Sequence, residues 1–259
     1  IKYAPIHSIY YYALDDASQN DETKGVSESW AKVTSHLMTW TYGAWYDESF
    51  WYYPTMQTFA DTLKLLYKSG NEYTFLQTAY YEKNMYQYNI EAYVMSKMFW
   101  NLDADVEAIR NEFLYYYFGE DAYRNMVDFH RIIDMNYAAI ANDGGVMLSY
   151  AGNFWSDKYW KIQTMNNLVD LFENSIETVK ANGNLSADQK AAYVANLERA
   201  ALMPMYMRVY NAKRYGMDEE NVKKLATEWV ELAEKYGVQK TGENAALTIE
   251  AFKIKYGVG

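Results

Sequence analysis

The chain contains no cysteine, so neither a disulfide nor a thiolate metal site can form. A cysteine-free composition suits a secreted bacterial protein and equally many cytosolic ones. Proline occurs only 3 times and histidine only 3 times in 259 residues. His7, His36 and His130 are far apart in sequence and lack the spacing of a metal site, so structural or exposed roles are expected for them. No apolar run approaches the roughly 18 residues that a membrane-spanning helix needs. Positive charge is also short: 24 Lys and Arg face 34 Asp and Glu, a net charge of −10. Such a surface repels phosphate backbones, so nucleic acid is not an expected partner. The chain opens on Ile1-Lys2-Tyr3 without an initiator Met or signal peptide, as expected of a segment cut from a longer protein or of a processed product.

Aromatic residues are abundant. There are 28 Tyr, 10 Phe and 8 Trp, or 18% of the chain. Tyr and Trp combine an apolar face with a polar tip, which suits both a half-buried core and a wet binding surface.

The pattern changes along the chain. Ile6–Leu14 is β-branched and aromatic and ends at Asp15-Asp16, which predicts a strand and a polar loop. Residues 27–37 carry Trp30, Val33 and Leu37 at helical spacing, with Ser27 as a candidate N-cap. Leu37–Trp45 predicts a second strand, followed by an aromatic loop to Pro54. Residues 57–69 form an amphipathic helix with Gly70 beyond its end. Glu72–Tyr80 predicts a third strand. This alternation argues for parallel βα units.

Beyond residue 85 only helices are expected. They cover 89–100, a segment capped by Asp103 and closed by Gly119, 121–141, 156–181, 187–215, 218–236 and 244–255. Ser186 and Gln189 have capping-box spacing.

An ordered series of residues carries a family resemblance. It begins with Trp40-Thr41-Tyr42, Tyr53-Pro54 before a helix, and Gly70 before Phe75-Leu76-Gln77. It continues with Glu91, Lys97, Trp100-Asn101, Asp105, Glu112-Phe113 and Tyr116-Tyr117-Phe118-Gly119. Over roughly residues 6–130 the chain resembles the bacterial domain-of-unknown-function family 4838. Asn101-Leu102-Asp103 and Phe118 depart from its usual pattern. The family resembles glycoside hydrolases of the β-hexosaminidase and α-glucuronidase kind. The resemblance implies an α/β fold: the last three βα units of a (β/α)₈ TIM-like barrel in residues 1–125, then an α-helical region over 126–259. It further implies a secreted, periplasmic or cell-surface setting and catalytic carboxylates upstream of this chain.

In a parallel barrel, working residues gather at the C-terminal ends of strands. The candidate catalytic carboxylates are therefore Asp15, Asp16 and Glu82, because glycoside hydrolysis uses a carboxyl pair. The other reading of these acids is a solvated loop and a helix flank. Candidate sugar contacts are Tyr12, Trp40, Tyr42, Trp45, Tyr46, Gln77 and Tyr80, since rings stack on sugars and amides take hydroxyls. The expected partners are a carbohydrate and either the missing N-terminal barrel portion or a second copy covering the strand edges. No cofactor or metal is expected, and Asp103, Asp105 and Glu107 lack the glycine and span of a calcium loop. The alternative function is a non-catalytic carbohydrate-binding or scaffold module.

Overall fold

The structure, a computed structural model, describes residues 1–53, 55–79, 85–145, 152–244 and 247–259. It is a helix-rich α/β fold with a three-stranded parallel sheet. The strands β1 (Lys2–Tyr3), β2 (Leu37–Tyr42) and β3 (Asn71–Gln77) lie side by side in chain order. Helix α1 (Val26–Ala31) lies between the first two strands, and α2 (Phe59–Lys68) between the second and third.

The first strand is not where the pattern predicts it. Residues 6–14 form a series of tight turns instead. Pro5 supplies no donor for a ladder, and its carbonyl accepts from Ser8 N and the Tyr10 hydroxyl. The buried Gln19 side chain accepts from Ile9 N at 2.7 Å and donates to Ile9 O at 3.2 Å, so one amide side chain substitutes for a neighbouring strand. Helix α1 is also shorter than predicted. Gly25 (φ 72°) is its N-cap, Ser27 lies inside it, and Trp30 and Val33 face solvent.

In β2 and β3 the pairing sets the two faces. Trp40 lies beside Phe75, Tyr42 beside Gln77 and Met38 beside Tyr73, with a register shift between Leu37 and Met38. Strand alternation places Met38, Trp40 and Tyr42 on one face, and buries Leu37, Thr39 and Thr41 on the other. Helix α2 packs against β3.

The remaining helices are α3 (Tyr86–Trp100), α4 (Val106–Phe118), α5 (Glu120–Asn142), α6 (Ile162–Ala181), α7 (Ala187–Asn211), α8 (Glu219–Lys235) and α9 (Ile249–Tyr256). Most start at side-chain caps. Asp105, not Asp103, accepts from Glu107 N and Ala108 N at the start of α4. Ser186 and Gln189 form the reciprocal capping box of α7. Helix α6 begins six residues later than predicted, because 156–160 form a turn around Ser156 O. Consecutive helices pack on one another, and α7 also reaches α3 and α4. Helix α5 runs across residues 125 and 126, and one hydrophobic cluster extends from Tyr10 to Phe252.

The aromatic loop after β2 lies inside that cluster. Trp45, Tyr46, Phe50, Trp51, Tyr52 and Tyr53 are all buried. Its backbone pairs with the segment before α9: Ser49 N donates to Thr241 O at 2.6 Å and Glu243 N to Tyr46 O at 2.8 Å. Gly242 permits this approach, because a Cβ there would stand 2.2 Å from the Asp47 carbonyl oxygen. Gly242→Ala is therefore expected to lower stability by about 3 kcal/mol, a fall of roughly 6–12 °C in Tm. An unchanged melting temperature would show that the two segments do not meet this closely.

Candidate functional site

The exposed stretch of the sheet's aromatic face is the best-formed candidate. Trp40 is half-buried, and its indole Nε1 donates to the Gln77 Oε1 at 2.8 Å. Phe75 meets the Trp40 ring edge-on, with centroids 4.9 Å apart. The Lys2 ammonium lies over the Trp40 ring, 4.5 Å from its centroid, in a cation–π contact. Tyr73 and Phe75 are 58% and 39% exposed, which leaves apolar rings open to water. A cavity of about 320 Å³ borders this face at Lys2, Met38 and Tyr73. A larger groove of about 520 Å³ runs past Tyr67, Tyr73, Phe99 and Trp100. Both lie toward the N-terminal end of β3, whereas the sequence argument points to the C-terminal strand ends.

Those C-terminal ends are filled. Tyr42 is buried against Tyr10 and Tyr46, and the Tyr46 hydroxyl donates to Gln77 O at 2.9 Å. Trp45 packs on Trp51 and Phe154. Tyr42, Trp45 and Tyr46 thus spend their ring faces on the core and present none to a soluble sugar. Tyr12 is half-buried with its ring against Tyr11. Asp15 is exposed, and Asp16 accepts from Ser18 N at 2.7 Å in a local turn. With residues 6–14 in turns, this acid pair no longer ends a strand. Tyr80 and Glu82 lie outside the described residues.

Two other carboxyls have altered chemistry, and both are enclosed. Glu91 on α3 is fully buried. Its Oε1 accepts from Thr55 Oγ1 at 2.8 Å and Gln87 Nε2 at 2.9 Å, while Oε2 has no hydrogen-bond partner among the described residues. Burial pushes this carboxyl up to about 8, against the pull of those two donors. Gln87 also bonds Tyr53 N at 3.2 Å and Tyr53 O at 3.0 Å, so the pair fastens the aromatic loop to α3. Gly43 must stay small here: a Cβ would lie 3.0 Å from Leu76 Cδ1 and 3.2 Å from Glu91 Oε2.

Glu48 sits at the other end of the loop and accepts from the Tyr206 hydroxyl. Burial raises it to about 7, opposed by Tyr206 and the Lys255 charge. Tyr206, some 160 residues away in sequence, carries no local signal that could have marked it as this partner.

The histidines are divided between core and surface. His7 and His36 are exposed; His130 is buried with its Nε2 on the Tyr86 hydroxyl. Burial holds the His130 imidazole well below its usual range, so it stays neutral. Beside it Arg110 pairs with Asp134 at 2.7 Å. Among the described residues no His, Asp and Glu side chains gather as a metal site.

Residues 1–131 match the family described as "Domain of unknown function (DUF4838)". The chain belongs to this family. No curated protein and no solved structure matches it significantly. Several residues that carry the DUF4838 pattern have clear structural tasks here. Gly70 and Gly119 have φ of 71° and 83°, Asp105 caps α4, and Lys97 meets Glu112 at 2.5 Å. Glu91 fastens the aromatic loop.

The buried acids predict a pH dependence. An unfolded Glu91 ionises near 4.5 and the folded one near 8, so the folded state keeps a proton that the unfolded state releases. The stability from this group is fully present below about pH 4.5 and is lost as pH rises toward 8. At about 1.4 kcal/mol per pH unit, the loss reaches several kcal/mol. Glu91→Gln is expected to abolish the fall above pH 7, leaving the lower part that comes from Glu48. Thermal melts of both proteins across that range check this; an unchanged slope above pH 7 would contradict it.

Proposed function

We propose that this chain is a glycoside-hydrolase-like domain that recognises a glycan with the open aromatic face of its sheet. The observation that carries the reading is Trp40, half-buried with its indole N–H fixed by Gln77 and with the mobile Lys2 side chain over its ring. A ring face that takes an ammonium also takes the C–H face of a sugar. Phe75 and Tyr73 extend that apolar strip, and Lys2 and Gln77 supply polar groups for hydroxyls.

The sheet itself is the end of a (β/α)₈ barrel. Its strands are parallel and in chain order, as a barrel requires, and β1 and β3 each have one unpaired edge among the described residues. The remaining strands, supplied by the rest of the protein, would cover those edges. The protein acts on polysaccharide at the cell surface, in the periplasm or outside the cell. Hydrolysis belongs to carboxylates upstream of this chain; within it Glu48 and Glu91 are enclosed, Asp15 is exposed and Asp16 accepts from Ser18 N in a local turn. The same enclosure favours a second reading, a carbohydrate-binding scaffold without chemistry of its own.

The test is a glycan-panel titration followed by tryptophan fluorescence. Trp40→Ala is expected to weaken binding about tenfold, or 1.4 kcal/mol, in a chain that still folds cooperatively. Equal affinity in the variant would remove Trp40 from the site.

A further inference from the structure

A second concave surface lies far from the sheet in sequence, where α7 and α9 end. A cavity of about 370 Å³ is lined by Val209, Tyr210, Lys213, Arg214, Lys255 and Tyr256. A neighbouring cavity of about 250 Å³ shares Lys213, Lys255 and Tyr256 and adds Lys223. Three observations bear on it. First, three cations gather at one concave space: Lys213, Arg214 and Lys255 are exposed, and none forms an ion pair among the described residues. Second, the cations are held against rings. The Arg214 guanidinium lies 4.5 Å from the Trp155 ring centroid and 5.5 Å from that of Tyr210, and the Lys255 ammonium lies 5.1 Å from that of Tyr256. Third, Arg214 Nη1 donates to Asn211 Oδ1 at 2.9 Å, which fixes the guanidinium in the rim.

The negative ends of two helices explain why cations stand here. They do not explain a concave, aromatic-walled space between them. Of the nearby acids, Glu48 is enclosed under Tyr206, Glu219 lines only the smaller cavity, and Asp47 and Asp157 lie close enough to act on Tyr210 and Tyr215 without lining either cavity.

We propose that this pocket binds an acidic sugar, its carboxylate or sulfate held by Arg214, Lys255 and Lys213 and its ring seated between Tyr210 and Tyr256. The inference rests on the reading of the chain as a glycan-binding domain and adds a second subsite with a charge requirement. A guanidinium takes a carboxylate or sulfate through paired N–H donors, and flanking aromatic rings take the apolar sugar face.

Isothermal titration with three hexasaccharides tests it: an oligogalacturonate (carboxylates only), a carrageenan fragment (sulfates only) and cellohexaose (uncharged). The expected result is tighter binding of a charged probe than of cellohexaose, weakened by added salt. Arg214→Ala/Lys255→Ala is expected to lower that affinity at least about tenfold. Lys213→Glu, at an exposed position beyond α7, is an independent variant that should act in the same direction. The control Lys32→Ala/Lys68→Ala removes the same charge at two exposed lysines elsewhere and should change nothing. Which charged probe binds identifies carboxylate or sulfate as the ligand group.

The inference is overturned if neither charged probe binds more tightly than cellohexaose, if the pocket variants bind like the wild type, or if the control weakens binding equally. Trp40→Ala separates the two readings. Binding lost in Trp40→Ala but kept in the pocket variants ends this inference and leaves the sheet-face reading standing. Binding lost in the pocket variants but kept in Trp40→Ala does the reverse.

Discussion

The structure depends on one act of burial: the aromatic segment after β2 is inserted between the sheet and the helices. Trp45, Tyr46, Phe50, Trp51, Tyr52 and Tyr53 are together the largest rings of the segment, and their contacts reach β2, α5, α7 and α8. Burying a Tyr or Trp removes much apolar area from water but obliges the backbone around it to find partners. The partners come from three directions. Gln87 and Glu91 take the Tyr53–Thr55 end, Tyr206 takes Glu48, and the 241–243 segment takes the Tyr46 and Ser49 backbone. The two carboxyls that do this work are raised because they are enclosed, and that makes them poor candidates for chemistry on a substrate.

The same insertion sets what remains open. It closes the C-terminal ends of β2 and β3 around Tyr42, and leaves Phe75 and Tyr73 open to water with Trp40 half-buried beside them. A ring held by a side-chain amide on a paired strand is preorganised, so binding costs little ordering. The surface proposed for glycan contact is therefore a consequence of how the core was filled.

The legibility of the fold follows the period of the signal. Helices α3 to α9 were readable because their apolar residues recur at helical spacing and their caps are local in sequence, as with Ser186 and Gln189 or Asp218. Strands β2 and β3 were readable to within a few residues. Residues 6–14 were not, since a β-branched and aromatic run scores as a strand whether or not a neighbour pairs with it. Here Gln19 satisfies that backbone instead. Strand position points to Trp40 and Gln77, and the structure joins them directly. The same argument points to Trp45 and Tyr46, yet they are buried, because an aromatic run without periodicity does not reveal which way it faces. The Arg214–Lys255 pocket was invisible for another reason: its members come from the ends of two helices some 40 residues apart.

The central claim is that the inserted aromatic segment joins sheet and bundle into one cooperative unit. Native-state hydrogen exchange of the β2 amides Thr39–Tyr42 and of the α7 core measures this directly. The account predicts that both sets open with the same free energy, and that Gly242→Ala lowers both equally. Exchange of the β2 amides at a much lower free energy, with α7 still protected, would contradict it.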